Sequence, residues 1–176
     1  MLATHLKEVS MDIQKELIRE FASETAKTRK VLKVIPADVD LGYKPHIKSM
    51  SLGRLAAHTA ETAGSWATEI LTKDELIWSA EDFKPWTPRT TAELLERFEK
   101  EVAETTKALA AMTPEKWESH WKMGDGKAVW VDDTRYRVFR EWVLDHLIHH
   151  RAQLGVYLRL LNLPVPGTFG PSADEK

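Results

Sequence analysis

The stretch Asp145-His-Leu-Ile-His-His-Arg-Ala-Gln153 places three histidines inside one run of helical periodicity. At about 100° per residue, His146 and His150 stand about 40° apart on the helix wheel. Both fall on the apolar stripe of Tyr136, Phe139, Trp142, Val143, Leu154, Tyr157 and Leu161, which marks a helix from about Thr134 to Leu161. His149 points about 100° away from His150, onto the flank. Two imidazoles one turn apart on one face can chelate a single cation. The competing reading is a structural pair. It needs a separate polar partner for each buried ring, so the metal reading is the favoured one.

Three more stretches carry the same periodicity. The first runs from about Met11 to Ile35, with Ile13, Leu17, Phe21, Leu32 and Ile35 near one stripe and Pro36 ending it. The second opens after Ser51, a plausible N-cap, and runs to about Leu71 through Leu52, Leu55, Thr59, Ala63, Trp66 and Ile70. The third follows Thr90 or Thr91 with Leu95, Phe98, Val102, Thr105, Leu109 and Met112, and closes at Thr113-Pro114. Nothing reads convincingly as a sheet. The segment from Lys122 to Val131 fits either a small hairpin or a cover over a pocket. Residues 36–50, 72–89 and 113–133 are long connections, which suit crossovers between non-adjacent helices. They hold five of the seven tryptophans, so they are expected to pack over an end of the helices. The expectation is an all-α single domain over residues 1–176, a four-helix bundle with long crossover loops.

Composition narrows the function classes. The chain has 176 residues, 43% hydrophobic and 30% charged, which excludes bulk disorder. Its 25 Lys and Arg against 27 acidic residues leave no basic footprint for nucleic acid and no polybasic membrane patch. It has no Cys, which removes disulfides, thiolate metal sites and a protein-borne thiol nucleophile. No apolar run approaches the roughly 20 residues of a membrane span. The opening MLATHLKEVS lacks the plan of a signal peptide, so a cytoplasmic location is expected.

A mononuclear site needs a third ligand. His58 is the only histidine inside the second helix, at the edge of its apolar stripe; His5, His46 and His120 fall in the N-terminal arm or in loops. A facial set of His58, His146 and His150 leaves coordination positions open. Leu147 after His146 rules out the catalytic Glu of HExxH. A di-iron carboxylate site fits poorly, because Glu61 follows His58 in the reverse of the Glu-x-x-His order.

These residues resemble the DinB-like superfamily. The likeness rests on the lone His58 and a last helix reading His-x-x-His-His-Arg-x-Gln-Leu-x-x-Tyr-Leu. It extends over Lys44-Pro-His-Ile-Lys-Ser-Met-Ser-Leu-Gly-Arg-Leu-Ala-Ala-His58 and the tail from Val165 to Glu175. The resemblance implies a four-helix bundle with one divalent metal at one end, commonly zinc or nickel, and a homodimer. It maps the metal ligands onto His58, His146 and His150. Relatives of known activity are metal-dependent transferases or isomerases that use a low-molecular-weight thiol, such as mycothiol-dependent maleylpyruvate isomerase and bacillithiol or glutathione transferases.

The expected chemistry is therefore a small thiol, activated at the metal, attacking an electrophilic small molecule. Gln153 and Tyr157, one and two turns beyond His150, are candidates to bond a ligand or orient a histidine; the bland alternatives are a helix–helix hydrogen bond and a core tyrosine. Glu61 is a candidate partner or base, with a solvated helix-face glutamate the favoured alternative. Arg151 reads as an ion-pair residue on the flank. Trp66, Trp86, Trp121 and Trp130 either wall the pocket or serve packing. Ile148, Ala152, Gly155 and Val156 form a small or apolar face suited to another helix, inside the bundle or across a homodimer. Two other functions share the ligands: a metal-hydroxide hydrolase of small molecules, and a non-catalytic metal or small-molecule binding stress protein.

Overall fold

Helix starts follow side-chain caps in the computed structural model, which describes residues 12–175. His5 and Met11, the expected start of the first helix, lie outside the described residues. Asp12 caps α1 (Ile13–Lys33) by accepting from the Lys15 N–H. Ser51 caps α2 (Leu52–Ala63) through Arg54, and Thr90 caps α4 (Thr91–Ala110) through Glu93. Each cap satisfies a donor that the first helical turn leaves open.

The expected second helix is divided. Gly64 separates α2 from α3 (Ser65–Thr72). The reason is close approach to α4: a Cβ on Gly64 would sit 2.3 Å from the Cβ of Glu101. At the break, the buried Thr105 hydroxyl donates to the carbonyls of Ala63 (2.9 Å) and Gly64 (3.2 Å). A cross-helix bond thus satisfies carbonyls near the interruption.

The last helical run is continuous but not uniform. It consists of α6 (Arg135–Phe139), a π-helical segment over Arg140–Asp145, and α7 (His146–Leu160). A π turn adds one residue and rotates everything before it by about 100° relative to an unbroken α-helix. That rotation puts Arg135, Val138 and Phe139 on the same buried face as Leu147, Leu154 and Leu158. An uninterrupted wheel would turn Val138 about 180° from Leu147, yet it is 2% exposed. The straight stripe drawn from the sequence is corrected accordingly: Tyr136 is exposed and Trp142 half-buried.

The core lies where α1 and α2 each pack against both α4 and α7. Phe21, Leu32, Leu52, Leu55, Phe98, Leu109, Phe139, Leu147 and Leu154 are essentially inaccessible there. Arg151 is not a flank residue. It is buried and reaches Glu24 of α1 at 2.7 Å, tying α7 to α1.

Contrary to the helical expectation, a small sheet is present. β1 (Glu75–Ile77) pairs in parallel with β2 (His120–Gly124), which pairs antiparallel with β3 (Val129–Thr134). The segment left open in the sequence is therefore a hairpin. Its turn uses Gly126 at φ +81°, and the Asp125 carboxylate accepts from the N–H groups of Lys127 (2.9 Å) and Ala128 (2.7 Å). Trp121 and Met123 point inward while His120 and Lys122 face solvent, the two-residue alternation of a half-buried strand. A further short helix, α5 (Pro114–Glu118), buries Trp117 beside Phe139. The loop tryptophans thus divide: Trp117 and Trp121 are buried, Trp78 and Trp86 half-buried, Trp130 exposed.

The tail folds back along α7, held by Arg159 to Asp174 (2.6 Å), and closes on itself through the Gly167 N–H to Glu175 (3.0 Å). Val165 lies over Gly155, whereas Val156 and Leu160 remain exposed. Among the described residues no helix is long and apolar enough to cross a membrane.

Candidate metal centre

His58, on the second-last turn of α2, faces His146 and His150 on the first two turns of α7. One ring nitrogen from each lies within 4.8 Å of the others. Ring centroids are 5.1 Å apart for His58 and His146, and 4.5 Å for both His58–His150 and His146–His150. The three residues picked out by spacing are the three the fold brings together.

Hydrogen bonds decide what these rings present. The Nδ1 of His150 contacts the side-chain oxygen of Gln153 at 2.7 Å, and the Nδ1 of His146 contacts the Trp142 carbonyl at 3.3 Å. Both partners are acceptors, so each Nδ1 carries the hydrogen and each Nε2 carries a lone pair. Those two Nε2 atoms are 2.7 Å apart. Two facing lone pairs at that distance repel unless something positive lies between or beside them. The π segment contributes here: the His146 N–H bonds to the Val143 carbonyl, and the Trp142 carbonyl accepts from the ring instead.

Protons compete poorly for these nitrogens. Burial, with the neighbouring His58 and His146, pushes His150 down to about 4 against the opposing bond to Gln153. Burial and His58 also hold His146 below the ordinary histidine value. Neutral imidazoles at pH 7 are the form that ligates a metal. The buried His58 Nδ1 lacks a hydrogen-bond partner and lies 3.7 Å from the Glu61 carboxylate. Three nitrogen donors, two of their rings held by hydrogen bonds and the third beside Glu61, fit a divalent cation.

Glu61 corrects the solvated reading. It is buried, 2.8 Å from the Arg54 guanidinium. Burial alone would raise its pKa, but His58 and Arg54 outweigh this and hold it below the usual carboxylate value. Arg54 had a legible signal, since it stands two turns from Glu61 on the same helix face. The Trp142 carbonyl had none. Tyr157 is a core residue whose hydroxyl donates to the Met50 carbonyl at 3.0 Å. The Gln153 side-chain oxygen holds the His150 ring on its own helix.

Among the described residues the other histidines stand apart. His46 lies exposed in a loop, His120 pairs with Asp132 at 2.6 Å, and His149 is exposed on the flank of α7. Among the tryptophans proposed as pocket walls, Trp121 is core, Trp86 stacks on Arg97, and Trp66 and Trp130 belong to the β1 end.

A family model described as the DinB family matches residues 4–175. The chain belongs to the DinB family. Its fold is similar to that of a DinB-like protein from Bacillus cereus, with a TM-score of 0.66. The two chains are 21% identical, and the likeness covers 87% of this DinB-family chain and 95% of the other. No curated protein matches.

Proposed function

We propose that His58, His146 and His150 hold one divalent cation, zinc or nickel, and that the protein is a transferase using a low-molecular-weight thiol as cosubstrate. The observation that carries this reading is the pair of lone-pair-bearing Nε2 atoms 2.7 Å apart, with a third imidazole beside them. A divalent cation in such a centre lowers the pKa of bound water to about 7 and deprotonates a coordinating thiol outright.

The chain's own residues supply the rest. Gln153 and the Trp142 carbonyl hold two rings in the ligating tautomer. Glu61, fixed by Arg54, places negative charge beside His58. Because the protein has no Cys, the sulfur comes from the cosubstrate. Its sulfur bonds to the electrophilic carbon, the leaving group departs with the bonding electrons, and the thiol proton passes to solvent. A cavity of about 390 Å³, bounded by Lys48, Ser49, Met50, Leu55, Gln153, Val156 and Tyr157, meets the centre only through Gln153, since none of the three histidines lines it. The Tyr157 hydroxyl, committed to the Met50 carbonyl, braces that wall.

The same reading takes the packed long helices as a four-helix bundle with crossover connections and the whole chain as one domain. It places the protein in the cytoplasm. It pairs two copies through the exposed face of Ala152, Val156 and Leu160.

Elemental analysis of untagged protein is expected to find one equivalent of metal, and almost none in His146→Ala. Loss of an electrophile is then expected to need both thiol and metal. Absence of a metal-dependent rate with every common thiol refutes the transferase. Turnover with thiol omitted replaces it with a hydrolase.

A further inference from the structure

We propose that a second cavity, between α3, β1 and the turn that follows β1, binds a small organic ammonium ion. It shares no residue with the histidine centre and is an open depression of about 280 Å³, at the small end of the range for ligand pockets. Three aromatic side chains line it: Trp66 from α3, and Trp78 and Phe83 from the turn. The Trp78 and Phe83 rings are 6.2 Å apart and inclined by 42°. Trp130 of β3 backs Trp78 from 5.9 Å, so this wall is braced.

Charge selects the occupant. Glu69 and Asp82 are the charged lining residues, and no Lys, Arg or His lines the cavity among the described residues. The ion pairs nearby, Arg135 with Asp74 and Arg97 with Glu101, leave both carboxylates out. An anion would be repelled. A neutral apolar guest would cover the rings while stripping water from two unpaired carboxylates. Glu69 and Asp82 form no group of three carboxylate or imidazole donors for a metal ion; among the described residues the grouped donors of that kind are the three histidines. An alkylated ammonium satisfies both features, presenting its charge to ring faces and carboxylates and its methyl groups to apolar walls. Phe83 at 42% and Ile77 at 63% exposure hold apolar surface at the rim for such a guest to cover.

The test is a titration of the full chain with choline and, separately, with its neutral isostere 3,3-dimethylbutan-1-ol. Tryptophan fluorescence and ligand-observed NMR are read at constant ionic strength. Choline is expected to saturate with a Kd of about 1 mM or tighter, and the isostere to bind at least about tenfold more weakly. Glu69→Gln with Asp82→Asn removes that discrimination. Trp78→Leu weakens choline about tenfold. Thermal melts verify that both variants are folded. His58→Ala leaves choline binding unchanged, which separates this site from the metal centre. The proposal is overturned by any of three results in folded protein: no saturable choline response, equal binding of choline and isostere, or choline binding indifferent to these cavity substitutions.

Discussion

Gly64→Ala is the substitution whose cost can be worked most directly from the structure. The added Cβ would lie 2.1 Å from Oε2, 2.7 Å from Cδ and 2.3 Å from Cβ of Glu101. A flexible carboxylate can swing aside, but the Glu101 Cβ is fixed by the α4 backbone. Ordinary contact begins at 3.4 Å, so the helices must separate by about 1 Å. Overpacking costs about 1–3 kcal/mol, and a clash with a backbone-anchored atom belongs at the upper end, about 3 kcal/mol. For a chain of this length that corresponds to a fall of about 6–12 °C in Tm. Differential scanning calorimetry measures it. A rescue series sharpens the test. Glu101→Ala removes the Oε2 and Cδ contacts but keeps the Cβ, so the double variant remains destabilised; Glu101→Gly removes all three and restores most of the loss. A Gly64→Ala protein melting within about 1 °C of the parent, or rescued fully by Glu101→Ala, refutes the reasoning.

The remaining predictions concern the centre and the buried charges. Gln153→Ala frees the His150 ring and is expected to lower zinc affinity about 10–100-fold in a chelator competition, while Tm of the metal-free protein changes little. Glu101 is held above the ordinary carboxylate value by burial, against the pull of Arg97. The folded protein therefore keeps that proton to higher pH than the unfolded chain. Stability falls as pH rises from the ordinary value through the raised one. Glu101→Gln is expected to flatten that fall in melts between about pH 4 and pH 7. Arg151→Met leaves Glu24 buried with Lys27 as its remaining cation and is expected to cost about 3 kcal/mol in urea titrations. Adding Glu24→Leu recovers most of that cost.

The parts legible in the sequence were those governed by local rules. Ser51 and Thr90 cap helices because their hydroxyls reach the N–H three residues on, whatever the rest of the chain does. His146 and His150 were legible because they share an apolar stripe one turn apart, and His58 because it is the only histidine inside the second helix, at the edge of its stripe. The break at Gly64 depends on how near α4 comes, which no window of α2 records. The parallel partner β1 is three residues long and carries no alternation of its own, whereas His120 to Met123 did alternate and was simply short. Glu61 was assigned to solvent because glutamate usually is; its pairing with Arg54 depends on both facing the packed side.

The six residues from Arg140 to Asp145 carry one more residue than a regular helix of the same height needs. Elsewhere in a packed helix, losing a residue throws every following side chain out of step with its neighbours. Here, removing exposed Glu141 would turn a wide loop of backbone into an ordinary one and keep both flanks in phase. Chains that share this architecture can therefore differ in length at this spot by a single residue and still align on both sides. The shorter form would have to find another way of holding the His146 ring, because the carbonyl that now steadies it would return to the helical ladder.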